Sequence, residues 1–155
     1  MHTLSRDTVP LSLYSDKALL IVNVAQSSPL ATQQLAALKA LKEKHKDILE
    51  IMAFPCNQFR NSPEGYQATE DYYLKEQQVN FPVMGKVDVN GPHTDYVYRF
   101  LRRHSELFRI GLMTAMPIRQ DFSKFLVDKS GKVRKFYGAG QDMATIESDL
   151  AQITQ

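Results

Sequence analysis

The stretch Ala18–Ala31, ALLIVNVAQSSPLA, decides the fold. Its first half is a run of β-forming residues that predicts a buried strand over residues 18–25. Its second half predicts the start of a helix, because Ser28 can accept an unpaired N–H of the first turn and Pro29 suits the first helical position. Backbone N–H groups and the positive end of the helix dipole converge at such a junction. Position 28 is therefore the first place to look for a nucleophile, and a serine stands there.

Length and composition favour one globular domain over residues 1–155, since the chain is 43% hydrophobic and 23% charged. The net charge of +2 gives no bulk attraction for nucleic acid, and no nucleic-acid partner is predicted. No apolar segment is long enough to span a membrane. The first residues lack the apolar region of a secretory signal, which favours the cytoplasm or the mitochondrial matrix.

A single cysteine, Cys56, excludes an internal disulfide and any zinc-type cysteine pattern. No metal and no cofactor is predicted. Cys56 follows Pro55 at the end of a predicted strand. It is either a semi-buried structural residue or a substitute redox thiol.

The rest of the chain alternates between strand-like and helix-like patterns. Parallel pairing with crossover helices follows from the early alternation, and a late hairpin adds antiparallel strands. The fold class predicted is α/β, a thioredoxin-like three-layer sandwich with a mixed central sheet flanked by helices. The predicted strands are 48–54, 83–89, 122–127 and 132–137, and the predicted helices are 29–46, 69–78, 94–103 (inner face Val97, Phe100, Leu101) and one capped by Asp142.

Four blocks, in this order, resemble the glutathione peroxidase family, in particular its compact phospholipid-hydroperoxide and plant-like members. The blocks are LLIVNVA (19–25), FPCNQF (54–59), FPVMGKVDVNG (81–91) and DFSKFLVDKSGKV (121–133). The resemblance extends from about Val9 to about Leu150. It implies reduction of hydroperoxides by a cysteine or selenocysteine at the start of the first helix.

The resemblance also implies where the catalytic tetrad of the family falls in this sequence. The peroxidatic position falls on Ser28 and the supporting glutamine on Gln58, while Gln120 replaces a tryptophan and Asp121 an asparagine. A serine hydroxyl stays protonated near neutral pH and has no counterpart of a sulfenic acid. The carboxylate of Asp121 would oppose a neighbouring anion. The position of the family's resolving cysteine falls near Leu74, and no cysteine lies there.

These changes predict a family member that has lost peroxidase chemistry and is retained as a structural or regulatory subunit, with other protein subunits as partners. In this interpretation Ser28 is a helix cap. Two alternatives stay open. One is an active thiol peroxidase that uses Cys56, and the other is a non-catalytic module that binds glutathione or lipid.

Two surface features are candidates for partner contacts. Arg119 and Lys124 flank the tetrad positions, where similar basic residues of the family attract glutathione; here they would contact an anion, an acidic partner or Asp121 itself. The segment 110–116 is unusually apolar for a loop. It either folds into the former pocket and fills it or forms a docking surface, and its candidate interface residues are Ile110, Leu112, Met113 and Met116.

Overall fold

A computed structural model describes residues 1–4 and 6–155. In this part of the chain the strands are β1 (Ala18–Val24), β2 (Leu49–Pro55), β3 (Phe108–Arg109), β4 (Thr114–Ala115), β5 (Lys124–Val127) and β6 (Val133–Tyr137). The α-helices are α1 (Ala31–Lys44), α2 (Tyr66–Glu70), α3 (Tyr96–Arg103) and α4 (Met143–Ile153). Two short 3-10 helices (Leu11–Tyr14, Ile110–Leu112) and a π-helical segment (Asp71–Glu76) complete the secondary structure.

The main sheet has the strand order β2-β1-β5-β6. β1 pairs with β2 in parallel and with β5 antiparallel, and β5 pairs with β6 antiparallel. Residues of β3 and β4 form a separate two-stranded hairpin. The predicted mixed sheet, with early parallel and late antiparallel pairing, is confirmed.

β1 is the centre of the molecule, because all seven of its side chains are buried. Alternate residues point to opposite faces of a strand. Leu20 and Val22 pack with residues of α1 and α4, whereas Leu19 and Ile21 pack in a second cluster with residues of α3. The two clusters make the three layers of a thioredoxin-like sandwich, as predicted.

The strand predicted over 83–89 is reduced to isolated bridges. The Ala53 N–H donates to the Pro82 carbonyl at 3.0 Å, and the Met84 N–H donates to the Ala53 carbonyl at 2.7 Å. The next bond of this parallel ladder would need an N–H on Pro55, which proline lacks. The prediction of a regular third strand here is therefore wrong.

The inner face of α3 also differs from the prediction. Tyr98 and Leu101 are buried, and the Tyr98 ring packs edge-on against Phe54 at 5.5 Å between centroids. Phe100 is 45% exposed and lies over His104 instead. The helix begins after Asp95, whose carboxylate accepts the Val97 N–H at 2.9 Å.

The remaining helices follow their predicted patterns with shifted ends. The helix predicted over 69–78 begins earlier, at Tyr66, and continues as the π-helical segment. Asp142 caps α4 as predicted, because its carboxylate accepts the Thr145 N–H at 2.8 Å. No helix in the described residues has the length and apolar character needed to cross a bilayer.

β6 is an edge strand of the main sheet. Arg134 and Lys135 on this strand are exposed. The N–H of Phe136 donates to the carboxylate of Glu106 at 2.9 Å. A side chain from outside the sheet therefore occupies one of the hydrogen-bonding groups on the outer strand.

Replacing Leu38 by Ala should test the packing of α1 on β1. Leu38 is fully buried, so we expect the free energy of unfolding to fall by about 2–5 kcal/mol. Urea denaturation followed by circular dichroism measures the change. Leu13→Ala is the matched control, since Leu13 is 66% exposed. A loss for Leu13→Ala as large as for Leu38→Ala would contradict this packing.

Candidate functional site

The candidate site lies where the carboxyl ends of β1 and β2 meet the start of α1. The Cys56 N–H donates to the Val24 carbonyl at 3.0 Å, which joins the ends of the two strands. The Ser27 N–H donates to the carbonyl of Asn61, at 2.9 Å, in the loop after β2. This loop and the start of the helix are thereby fixed against each other.

Ser28 is buried, with 7% of its surface exposed. Its hydroxyl oxygen accepts the Leu30 N–H at 3.2 Å, and its carbonyl accepts the Ala31 N–H at 3.0 Å. Ser28 thus caps a turn that includes Pro29, and regular α-helix starts at Ala31, two residues later than predicted. The hydroxyl serves the backbone of this turn.

Gln58 faces the segment that follows the bridged residues 83 and 84. Its Oε1 accepts the N–H groups of Val89 and Asn90 at 2.7 and 2.9 Å, and its Nε2 donates to the Asn90 carbonyl at 2.8 Å. All of its hydrogen bonds within the described residues go to these two residues or to Cys56. The structure therefore gives Gln58 a role in holding a loop, and no bond joins it to Ser28.

Asp121 is buried beside the loop after β2. Its Oδ2 accepts the Nδ2 proton of Asn61 at 2.8 Å, while its Oδ1 has no hydrogen-bond partner among the described residues. Burial raises the pKa of the Asp121 carboxyl, and the bond from Asn61 opposes that shift. Ser27 extends the network, since its hydroxyl donates to Glu64 at 2.8 Å.

Backbone strain accompanies Asp121. The next residue, Phe122, has φ of +64° and a fully buried side chain. A bulky residue in the left-handed region is an outlier that the surrounding structure must hold in place. Here the Phe122 N–H donates to the Asn23 carbonyl at 2.6 Å, and the Asn23 side chain donates to the Gln120 carbonyl at 3.1 Å.

The side chain of Gln120 is exposed and lines a depression of about 530 Å³ together with Leu30 and Gln34 of the first-helix region. The structure brings the segments that carry Ser28, Gln120 and Asp121 to one end of the sheet. None of the four tetrad positions hydrogen-bonds another within the described residues.

Lys124 does not have the predicted position at the surface. It is fully buried, and its Nζ donates to Gln34 at 2.8 Å and to the Phe122 carbonyl at 2.7 Å. Burial lowers the pKa of Lys124 to about 8. In place of the predicted anion contact, Lys124 ties the beginning of β5 to α1. Arg119 is exposed, as an anion contact would require.

Cys56 is fully buried. Its sulfur accepts the Gln58 N–H at 3.5 Å and donates to the Gln58 carbonyl oxygen of the side chain at 3.8 Å. Burial raises the pKa of the thiol, which opposes formation of the reactive thiolate. These surroundings are typical of a structural cysteine.

The apolar segment 110–116 lies at the surface on the hairpin of β3 and β4. Ile110, Leu112 and Met113 are 78%, 70% and 70% exposed, and Met116 is partly buried. The alternative in which this segment fills the former pocket is therefore contradicted. The exposed tip agrees with the other alternative, a docking surface.

The junction between the sheet and the first helix is rich in hydrogen-bond acceptors. Buried side-chain oxygens without a partner among the described residues include Asn23 Oδ1, Gln26 Oε1 and Asp121 Oδ1. The same set includes two hydroxyls that can donate, Ser62 Oγ and Tyr73 OH, so the group that opposes a bound anion is the Asp121 carboxyl. In the described residues, no group of three or more His, Cys, Asp or Glu is placed to hold a metal ion.

Asn61 and Glu64 are the residues of this network that the sequence did not identify. Both lie in the polar loop after β2, and Asn61 is 60 residues from the carboxylate it contacts. The abundance of Asn, Ser, Pro and Gly between 57 and 66 indicated a loop. That signal could not assign partners to its side chains.

Known proteins resemble this chain over most of its length. A model of the family described as glutathione peroxidase matches residues 1–102. A probable phospholipid hydroperoxide glutathione peroxidase of Mesembryanthemum crystallinum is 39% identical over 147 residues, which cover 94% of this chain and 84% of the relative. A chloroplastic phospholipid hydroperoxide glutathione peroxidase of Pisum sativum is 38% identical, covering 94% of this chain and 60% of the relative.

Among solved structures, the crystal structure of T. cruzi GPX1 superposes with a TM-score of 0.72 at 24% identity. The superposition covers 98% of this chain and 91% of that chain. This likeness supports the thioredoxin-like fold.

Replacing Asp121 by Asn should stabilise the protein at pH 7. The folded pKa of Asp121 is raised, whereas an unfolded Asp titrates near about 3.9. Its ionisation therefore lowers stability as the pH rises through the interval between these two pKa values. We expect a gain on the order of 1 kcal/mol at pH 7 that disappears below about pH 4, measured by urea denaturation.

The matched control is Asp142→Asn at the exposed cap of α4. Hydrogen bonds from Thr145 lower the pKa of Asp142, so the carboxylate contributes stability at neutral pH that is lost on acidification. This variant should show no gain at pH 7. The test is the gain in free energy of unfolding of Asp121→Asn over the parent. A gain that is smaller at pH 7 than at pH 4 would contradict a raised pKa for Asp121.

Proposed function

The chain belongs to the glutathione peroxidase family, and we propose that it has lost the peroxidase reaction and acts as a structural or regulatory subunit of a protein assembly. The observation that carries the proposal is Ser28, which stands where the family resemblance places the attacking cysteine or selenocysteine. Its hydroxyl accepts the N–H of Leu30, and among the described residues no histidine bonds to it. Peroxide reduction needs a chalcogen anion that becomes a sulfenic or selenenic acid, and serine cannot supply one.

The surroundings of Ser28 support the same conclusion. Asp121 presents a buried carboxyl group where the family resemblance implies an asparagine. Gln58 is present, but its amide is occupied with Val89 and Asn90. A thiolate placed at position 28 would lie near the buried carboxyl group of Asp121, which opposes a second negative charge.

Cys56 is the one thiol that an active peroxidase could use. Its complete burial and raised pKa argue against this alternative. The curated relatives are called phospholipid hydroperoxide glutathione peroxidases, and those names favour a peroxidase. A direct measurement of peroxide turnover therefore distinguishes an inactive family member from an active peroxidase.

The proposed partners are other protein subunits. The hairpin tip formed by Ile110, Leu112 and Met113 exposes three large apolar side chains, a feature typical of protein-binding surfaces. Exposed Arg119 is available for an acidic partner or for residual glutathione binding. The proposed location is the cytoplasm or the mitochondrial matrix, although the relative from Pisum sativum is chloroplastic.

A coupled assay with hydrogen peroxide or a lipid hydroperoxide, and with glutathione or thioredoxin as reductant, tests the loss of activity. We expect no turnover above a heat-treated control. Restoring the implied tetrad with Ser28→Cys, Gln120→Trp and Asp121→Asn together should produce measurable turnover, because a thiol then occupies the helix start.

Two single variants separate the possible sources of activity. Cys56→Ser should leave the turnover of the parent protein at the background level. Turnover by the parent that disappears in Cys56→Ser would overturn the proposal in favour of a Cys56 peroxidase. Ser28→Cys alone tests whether a thiol there reacts with peroxide, which the mass of the oxidised protein reports.

The hairpin tip should be required for assembly. We expect stable protein subunits to co-purify from the native source under mild salt. They should be lost when Ile110, Leu112 and Met113 are replaced by Ser, because the contact loses its apolar surface. Leu13→Ser removes an exposed apolar side chain elsewhere and should retain the partners. A free monomer in native extracts would count against the subunit role.

A further inference from the structure

A groove lies at the end of the sheet opposite Ser28. Its floor is formed by Leu19 and Ile21 of β1, which precede the carboxyl end of that strand by several residues. A strand rises about 3.3 Å per residue, so the groove and the helix start lie at opposite ends of β1. The groove is a separate feature from the tetrad positions, and binding there does not depend on the proposed loss of peroxidase activity.

The groove has the size and lining of a small-molecule site. Its volume is about 480 Å³, within the range of about 300–1,000 Å³ that is usual for ligand pockets. Leu101 and Phe100 of α3 form one wall, and the 3-10 helix Leu11–Tyr14 forms another. The lining is predominantly apolar, which suits a hydrocarbon body.

The rim of the groove carries positive charge. Lys17 and Lys129 both line it. Lys17 donates one proton to the Lys46 carbonyl at 3.0 Å and has two further ammonium donors. Lys129 is exposed. An anionic head group at this rim would be complementary to both.

Among the described residues that line the groove, the one carboxylate, Asp128, is directed elsewhere. Asp128 accepts the N–H groups of Ser130 and Lys132, both at 3.0 Å, and an Arg134 proton at 3.2 Å. Its charge is therefore compensated within its own turn. Among the lining residues the lysines carry the uncompensated charge, while Asp16 beside Lys17 and Glu50 near Tyr14 lie outside the lining.

The outer wall of the groove is suited to admitting a ligand. The 3-10 helix Leu11–Tyr14 has no buried residues. Leu11 is 42% exposed although it lines the groove, so a bound chain would cover apolar surface that now faces solvent. Burial of that surface would provide most of the binding free energy.

We propose that this groove binds a medium-chain fatty acid, with the hydrocarbon chain along Leu19 and Leu101 and the carboxylate held by Lys17 and Lys129. The combination of an apolar groove and a cationic rim selects a single-chain amphipathic anion. An uncharged molecule would gain the apolar contacts alone, and a small polar anion such as acetate would gain the charge contacts alone.

Titration of the full chain with sodium decanoate, below the concentration at which it forms micelles, tests the proposal. Amide signals in ¹H–¹⁵N spectra should shift for Leu19, Leu101 and their neighbours and should not shift for the hairpin tip 110–113. Affinity should rise about three- to fourfold for each methylene from hexanoate to decanoate, and acetate should not bind.

Charge reversal at the rim gives a matched pair of variants. Lys129→Glu should weaken decanoate binding about three- to tenfold and leave binding of decanol unchanged. Lys132→Glu makes the same change on the same turn outside the groove, and it should alter decanoate affinity less than about twofold. The spectra of both variants also report whether they are folded.

Other occupants predict different results. Decanoate shifts confined to the hairpin tip, affinity independent of chain length, or equal effects of Lys129→Glu and Lys132→Glu would each overturn the proposal. Sedimentation at several protein concentrations tests a second copy of the chain as the occupant. If self-association shifts the groove signals in the absence of decanoate, the occupant of the groove is a second copy of the chain and the fatty-acid proposal is overturned.

Discussion

The complete burial of β1 is the constraint on which the rest of the structure depends. A strand with apolar residues on both faces needs cover on both sides, and α1 with α4 on one face and α3 on the other provide it. The single polar residue within the strand, Asn23, forms bonds at its end. It binds Gln120, Phe122 and Ser123 and so fixes the approach to β5. The site positions are thereby held by the same strand that organises the core.

Local patterns were sufficient to predict the parts of the fold that depend on neighbouring residues in sequence. β1, the late hairpin and the Asp142 cap all carry such patterns. The prediction of a regular strand over 83–89 was wrong because the length of its pairing depends on Pro55 of another strand. The prediction that Phe100 lies on the inner face of α3 was wrong, because helical spacing alone does not distinguish it from Tyr98. Packing against Phe54 places Tyr98 on that face.

The candidate site was predictable to a different degree. The family resemblance supplied the positions. Residue type and Pro29 predicted Ser28 as the cap of the helix, whereas its hydroxyl caps the preceding turn and the N-cap position of α1 is Leu30. The contacts could not be read from the sequence. The partner of Asp121 is 60 residues away, and the inward direction of Lys124 is set by Gln34 of α1. Lys124 is therefore buried and links the sheet to α1, where the sequence had predicted a cation at the surface.

The edge of the sheet at β6 bears on how copies of this protein behave at high concentration. An open strand edge is a template on which further chains can add and grow into fibrils. Lys135 places an exposed positive charge on this edge strand, Arg134 is paired with Asp128, and Glu106 already accepts the N–H of Phe136. A second molecule would have to displace that carboxylate and bring its own cations alongside. Growth by strand addition at the β6 edge is therefore opposed at its first step.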